Sequence, residues 1–243
     1  MALSIVEILK EHGHIDQEAL ITTFARRFRQ DPGRGYGRGA YRLLSQVNRG
    51  GNWKEIAPDL FPGGSYGNGG AMRAAPIGGY FARDPERAVE EGQRSAAVTH
   101  AHPEGQAGAM AVAAAAALAA QPESPREKAL LEAVITLLPE SETRQGIEKA
   151  LGIAPTEHEK AARQLGTGSN ISAQDTVPYC LWCAAHHCND YKEALWTTVA
   201  GGGDRDTTCA IVGGIVALSS GHVPESWLQH REPLPPGFES SPA

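Results

Sequence analysis

Near its C-terminus the sequence reads Gly201-Gly202-Gly203-Asp204-Arg205-Asp206-Thr207 and then enters a run of small and apolar residues from Cys209 to Leu218. The glycines allow the backbone to turn sharply, so the pattern predicts a glycine turn feeding a buried helix. Asp204, Asp206 and Thr207 offer hard oxygen donors, the type that Mg²⁺ or Mn²⁺ selects over thiolate or imidazole. Asp204 and Asp206 are equally N-cap candidates, because an aspartate at a helix start accepts from orphan N–H groups and suits the macrodipole. Taken alone, the segment is read first as a cap.

Three other places carry chemical side chains. Gly64-Ser65-Tyr66-Gly67-Asn68-Gly69-Gly70 precedes Met72 and Arg73, and successive backbone N–H groups in such a turn can form an anion nest for a phosphate or pyrophosphate. Its spacing matches neither a Walker loop nor a dinucleotide fingerprint, and a plain surface turn is the competing reading. His100, after Thr99, stands at a helix junction where it either caps carbonyls or donates to a phosphate or ribose oxygen. Cys180, Cys183, His186, His187 and Cys188 cluster, but a structural zinc site draws ligand pairs from separated segments and there is no second pair. Cys180, Cys183 and His187 instead fit one buried helix face with Ala184.

The elements that must position these residues are helical. Apolar residues recur at helical spacing in Ser4 to Glu11 and, after Asp16, through Leu20, Ile21, Phe24 and Phe28. Asp84-Pro85 opens a helix to about Val98, and Gly105 to Ala120 is a helix of small residues suited to a central place. Ser124-Pro125-Arg126-Glu127 and Thr156-Glu157-His158-Glu159 match the capping box and are expected to open helices ending near Leu138 and Leu165. Asp190 starts another helix, which stops at Gly201. No alternating strand pattern or solenoid repeat is present.

The chain has 243 residues and a formal net charge of −6, enough for a sizeable core and unfavourable for a nucleic-acid-binding surface. A nucleotide ligand stays open, because a local cation reverses the local potential. One domain is expected over residues 1–230, with a Pro-rich tail over 231–243. Four cysteines in a chain of this length do not describe a disulfide scaffold, which points to a reducing, cytoplasmic location. No apolar run approaches the roughly 18 residues that span a bilayer, so no membrane association is expected.

Together, Ser65-Tyr66-Gly67-Asn68-Gly69-Gly70-Ala71-Met72-Arg73, Thr99-His100 before an alanine-rich helix, and Gly202-Gly203-Asp204-Arg205-Asp206-Thr207 resemble the ADP-ribosylglycohydrolase family over nearly the whole chain. With Arg34-Gly35-Tyr36-Gly37 upstream, the first string looks closest to the branch containing serine-ADP-ribose and poly(ADP-ribose) hydrolases. The resemblance implies a compact, all-α orthogonal helical bundle, and a hydrolase with two Mg²⁺ ions that acts on ADP-ribosylated proteins or related compounds. Asp204, Asp206 and Thr207 would supply metal ligands, with Asp206 the bridging candidate and both aspartates catalytic. Gly64, Ser65, Tyr66, Gly67 and Asn68 would hold the pyrophosphate and adjoining ribose, and His100 would contact the phosphate region. The acceptors in question present the same diphosphate, so these motifs do not choose among them.

Two departures from the family pattern are visible. Arg205 replaces the threonine common between the two aspartates. The resemblance also implies an acidic residue and a Thr-Asp-Asp-Thr cluster ahead of a helix like Ser4 to Glu11, and Met1 stands almost where that cluster would end. The expectation is therefore a partial metal shell within these residues, which leaves open a non-catalytic ADP-ribose-binding module or a helical interaction protein. The Asp175-Thr176 pair lies in the wrong region of the sequence to replace that cluster.

Overall fold

The computed structural model describes residues 1–238; of the anticipated tail, 239–243 lie outside the described residues. Helix α1 (Ala2–His12) buries Ile5, Ile8 and Leu9 and stops at Gly13, whose left-handed conformation ends it. Asp16 opens α2 (Gln17–Gln30) by accepting from the Ala19 N–H at 2.9 Å. Leu20, Ile21, Phe24 and Phe28 form its buried face, each apolar side chain contributing about 1.5–3 kcal/mol by leaving water. After Asp31-Pro32 come the short helices α3 (Arg38–Val47) and α4 (Trp53–Asp59), a 3₁₀ turn (Ala71–Arg73) and α5 (Ala75–Tyr80).

Asp84 caps α6 (Pro85–Ala97) through the Arg87 N–H at 3.0 Å. It leads into α7 (Pro103–Ala119), which is buried almost throughout and packs against α5 and α6. Alanine makes this central position workable, since small side chains let neighbouring axes approach while adding no rotamer entropy cost. The chain continues through α8 (Lys128–Leu137), α9 (Glu142–Ala150), α10 (His158–Leu165), α11 (Val177–His186), α12 (Tyr191–Ala200), α13 (Arg205–Ser220) and α14 (Glu225–Leu228). Helices α9, α11 and α13 also pack on α7. Among the described residues the sole β feature is an isolated antiparallel bridge between Gly67 and Ser172. No helix among them is long and apolar enough to cross a membrane.

Neither anticipated capping box forms. The Glu127 N–H is taken by the Ala185 carbonyl of α11 at 3.1 Å, and Glu127, at φ 52, becomes the boundary of α8. This tertiary bond displaces the start by several residues, leaving Ser124 to meet the Pro125 carbonyl. At α10, Glu157 occupies the N-cap position, and its carboxylate turns back to the Ala154 N–H at 2.9 Å. Helix α9, by contrast, gains a second partner: Ser141 caps it while Glu104 of α7 accepts from the Glu142 and Thr143 N–H groups at 2.7 and 3.0 Å.

Candidate active site

Asp204 stands at the N-cap position of α13, yet its side chain makes no cap hydrogen bond. Its Oδ2 accepts instead from Asn68 Nδ2 at 2.8 Å, joining residues 136 positions apart. Asn68 is buried, and the same Nδ2 donates to Thr176 Oγ1 at 3.1 Å. An ionised carboxylate only accepts, so the amide NH₂ must face it. Asp206, in the first turn of α13, is exposed, and its side chain makes no hydrogen bond or ion pair among the described residues. Thr207 is buried, and its hydroxyl points toward Met72 Sδ at 3.8 Å. Arg205 leaves the site by donating from Nε to the Val199 carbonyl at 3.2 Å, at the C-terminal end of α12, where a cation suits the helix dipole.

The glycine segment packs against the entry to α7. A Cβ at Gly64 would lie 2.6 Å from the His102 backbone nitrogen, so only glycine admits this approach. Ser65 Oγ accepts from the Gly67 N–H at 3.3 Å, and the Tyr66 ring meets His102 edge-on with centroids 5.5 Å apart. The Asn68 N–H is committed to the Ile171 carbonyl at 3.3 Å. With the Gly64 N–H on the Phe61 carbonyl at 2.9 Å, three N–H groups of the anticipated nest are already used within the protein, and its donors are fewer than the glycine run suggests.

His100 is buried between the glycine segment and α6. Its Nδ1 lies 2.7 Å from Thr99 Oγ1, while Cβ atoms built on Gly67 and Gly69 would come within 3.5 and 3.4 Å of its Nε2. Burial, reinforced by the Arg73 charge, pushes its imidazole pKa down to about 3, so it is neutral at ordinary pH and donates from one nitrogen only.

Residues 166–176 form a wall that sequence reasoning does not identify. The Gly168 N–H donates to the Asp175 carbonyl and the Asn170 N–H to Asp175 Oδ2, both at 2.8 Å. Thr167 accepts from the Asp204 N–H at 3.0 Å. A Cβ at Gly168, φ +83, would lie 2.7 Å from that of Asp204. Of the Asp175-Thr176 pair, Thr176 touches Asn68, while Asp175 accepts from N–H groups within the wall itself. Gly166-Thr167-Gly168 ahead of an apolar helix was the available signal. The Cys180–Cys188 region is elsewhere in use: its cysteines are free and buried in the core.

The residues present fit a hard divalent cation in donor chemistry. The Asp204 carboxylate is withheld from capping, Asp206 has no cation partner among the described residues, and Arg205 is turned away. They are a partial set, since no group of three or more His, Cys, Asp or Glu among the described residues is placed to hold a metal.

The described residues form an all-α bundle that carries a glycine loop, a buried histidine and an aspartate pair at a helix start. A model of the ADP-ribosylglycohydrolase family matches residues 1–238, and the chain belongs to that family. The chain is 32% identical over 279 residues to the ADP-ribosylhydrolase ARH3 of Homo sapiens, covering 99% of this chain and 74% of the relative. The Mus musculus ARH3 is 32% identical over 278 residues, with 99% and 73% covered. A protein of Archaeoglobus fulgidus is 31% identical over 230 residues, with 93% and 71% covered. Among solved structures, an "ADP-ribosylglycohydrolase-related protein complex" superposes with a TM-score of 0.66 at 24% identity, covering 94% of this chain and 72% of that one. This last likeness is one of fold.

Proposed function

We propose that the chain is a Mg²⁺-dependent hydrolase that removes ADP-ribose from ADP-ribosylated protein side chains or related ADP-ribosyl compounds. The observation that carries this reading is the Asn68–Asp204 hydrogen bond. It draws a helix-start carboxylate away from its ordinary capping role and ties it to the glycine segment. Family membership supplies the substrate class.

In this reading Gly64, Ser65, Tyr66 and Gly67 take the diphosphate and adjoining ribose. Neutral His100 donates to a phosphate oxygen, and Asn68 orients Asp204 rather than facing the ligand. Asp204, Asp206 and Thr207 would hold Mg²⁺, two ions being expected for a complete family site and Mn²⁺ being an alternative of similar chemistry. When bound, such ions polarise water and align hydroxyl oxygens. The bond broken joins the anomeric carbon to the acceptor oxygen or nitrogen. Water adds at that carbon through an oxocarbenium-like state, and the acceptor leaves with a proton.

The partial ligand set gives substance to a second reading, a module that binds ADP-ribose without cleaving it. Calorimetry with ADP-ribose, with and without Mg²⁺, and release of ADP-ribose from serine- and arginine-ADP-ribosylated peptides separate the two. Hydrolysis that requires Mg²⁺ and is lost in Asp206→Asn is the expected result. Metal-independent binding without turnover would move the assignment to the binding module. Absence of both binding and thermal protection would leave a helical interaction protein.

A further inference from the structure

Arg73 is a charged group that the reaction does not obviously need. It is 3% exposed and has no carboxylate partner among the described residues. Its Nη2 donates to the Ser95 carbonyl at 2.9 Å and to Thr99 Oγ1 at 2.7 Å. Nη1 lies 3.4 Å from the Gly69 carbonyl and 3.9 Å from Met1 Sδ, and the guanidinium sits 4.9 Å from the Phe24 ring centroid. Burial brings its pKa down to about 9, so it remains cationic near neutrality. A buried charge served only by neutral acceptors is costly, and an aliphatic residue would fill the space without that cost. One ordinary explanation is that Arg73 caps the last carbonyls of α6. Thr99 also links it to His100.

Arg73 can only donate, so Thr99 Oγ1 accepts from it and must place its own proton elsewhere. Two acceptors are in reach: the Ala96 carbonyl at 3.3 Å and His100 Nδ1 at 2.7 Å. Ala96 O already accepts the N–H groups of Thr99 and His100 at 2.9 and 2.8 Å, which occupies both of its lone pairs. The hydroxyl proton therefore goes to His100 Nδ1 and makes that nitrogen an acceptor. A neutral imidazole then carries its proton on Nε2, the nitrogen that faces Gly67 and Gly69 and has no protein partner among the described residues.

We infer that Arg73 and Thr99 are positioning residues that lock His100 as the Nε2–H tautomer and aim its one N–H donor at the diphosphate held by the glycine segment. The inference rests on the proposed ADP-ribose site for its ligand, whereas the lock itself is a property of the free protein.

The test is the ¹⁵N spectrum of histidine-labelled protein at neutral pH, with the His100 signals identified by their loss in His100→Gln, alongside calorimetric titration with ADP-ribose. Wild type is expected to show His100 protonated on Nε2. Thr99→Ser should retain that tautomer and bind within about twofold of wild type. Thr99→Val should lose the fixed tautomer and bind about tenfold more weakly, the scale of one hydrogen bond to a charged group. A purely structural role for Thr99 would change thermal stability and leave the tautomer alone. Protonation of wild-type His100 on Nδ1, or a folded Thr99→Val protein with unchanged tautomer and affinity, would overturn the inference. Should Thr99→Val fail to fold, the wild-type tautomer and the Thr99→Ser result still decide it. A wild-type protein with the expected tautomer but no affinity for ADP-ribose would instead overturn the ligand assignment and leave the lock in place.

Discussion

Asp190 and Asp204 occupy the N-cap positions of α12 and α13, two helices that pack against each other. Asp190 does what an aspartate at that position ordinarily does: its Oδ1 accepts from the Glu193 N–H at 2.9 Å. Asp204 gives its carboxylate to Asn68, and α13 begins without a side-chain cap. The start of α13 is instead held from outside, through the Asp204 N–H bonded to the Thr167 carbonyl and the close seating of Gly203 on Thr167. One residue type at one helix position thus caps its own helix in α12 and is drawn into a tertiary contact in α13. What differs is the neighbour that tertiary structure supplies.

The sharpest way to break this contrast is to dislodge α13 from its external support. A Cβ at Gly203, φ +66, would lie 2.2 Å from Thr167 O, whereas one at Gly202, φ +77, would meet nothing within 4 Å. Gly202→Ala should therefore cost only the left-handed strain, about 1–2 kcal/mol. Gly203→Ala should cost about 3 kcal/mol, since backbone must also shift, and should abolish ADP-ribose binding. Chemical denaturation of both variants checks this. Equal losses would mean that Thr167 does not position α13.

A smaller effect, but a cleaner separation, comes from exchanging the two aspartates. Asp190→Ala removes a working cap and should cost about 1 kcal/mol, leaving turnover intact. Asp204→Asn keeps an acceptor for Asn68 and should stay within about 0.5 kcal/mol of wild type. It should nevertheless remove Mg²⁺-dependent hydrolysis, because a neutral amide replaces an anionic oxygen donor. If Asp204→Asn spares hydrolysis and its Mg²⁺ requirement, the Asp204 contact with Asn68 is structural alone.

These residues also mark how far the sequence could be read. Local signals carried the helices: the apolar spacing of α2, the caps at Asp16, Asp84 and Asp190, and the small residues of α7 need only near neighbours to be interpreted. The capping-box string at Ser124 failed because a partner distant in sequence, Ala185, claims the Glu127 N–H, and at Thr156 the N-cap position falls one residue later, on Glu157. At the site, the residue types of 64–68, His100 and 204–207 were visible as motifs. The roles of Asn68, Thr176 and the 166–176 wall depend on contacts across more than a hundred positions, and Arg73 and Thr99 acquire meaning only beside His100. Sequence spacing names candidates, whereas hydrogen-bond partners determine which lone pairs and protons are left for a ligand.

Arg205 provides the smallest and most discriminating perturbation, because it sits between the two aspartates without sharing their surroundings. Its Nε reaches back to the Val199 carbonyl, so its charge serves the C-terminal end of α12. An exposed contact of this kind is worth roughly 0.3–1 kcal/mol at low salt and is screened as salt rises. Arg205→Ala should accordingly lower stability by about 0.5 kcal/mol, with the loss shrinking at high ionic strength, and should leave hydrolysis and its Mg²⁺ requirement unchanged. Denaturation at low and high salt, paired with Mg²⁺ titration of activity, tests both halves. A marked shift in the Mg²⁺ requirement would place the guanidinium at the aspartates and bring α13's opening turn closer to the ordinary, internally compensated helix start of α12.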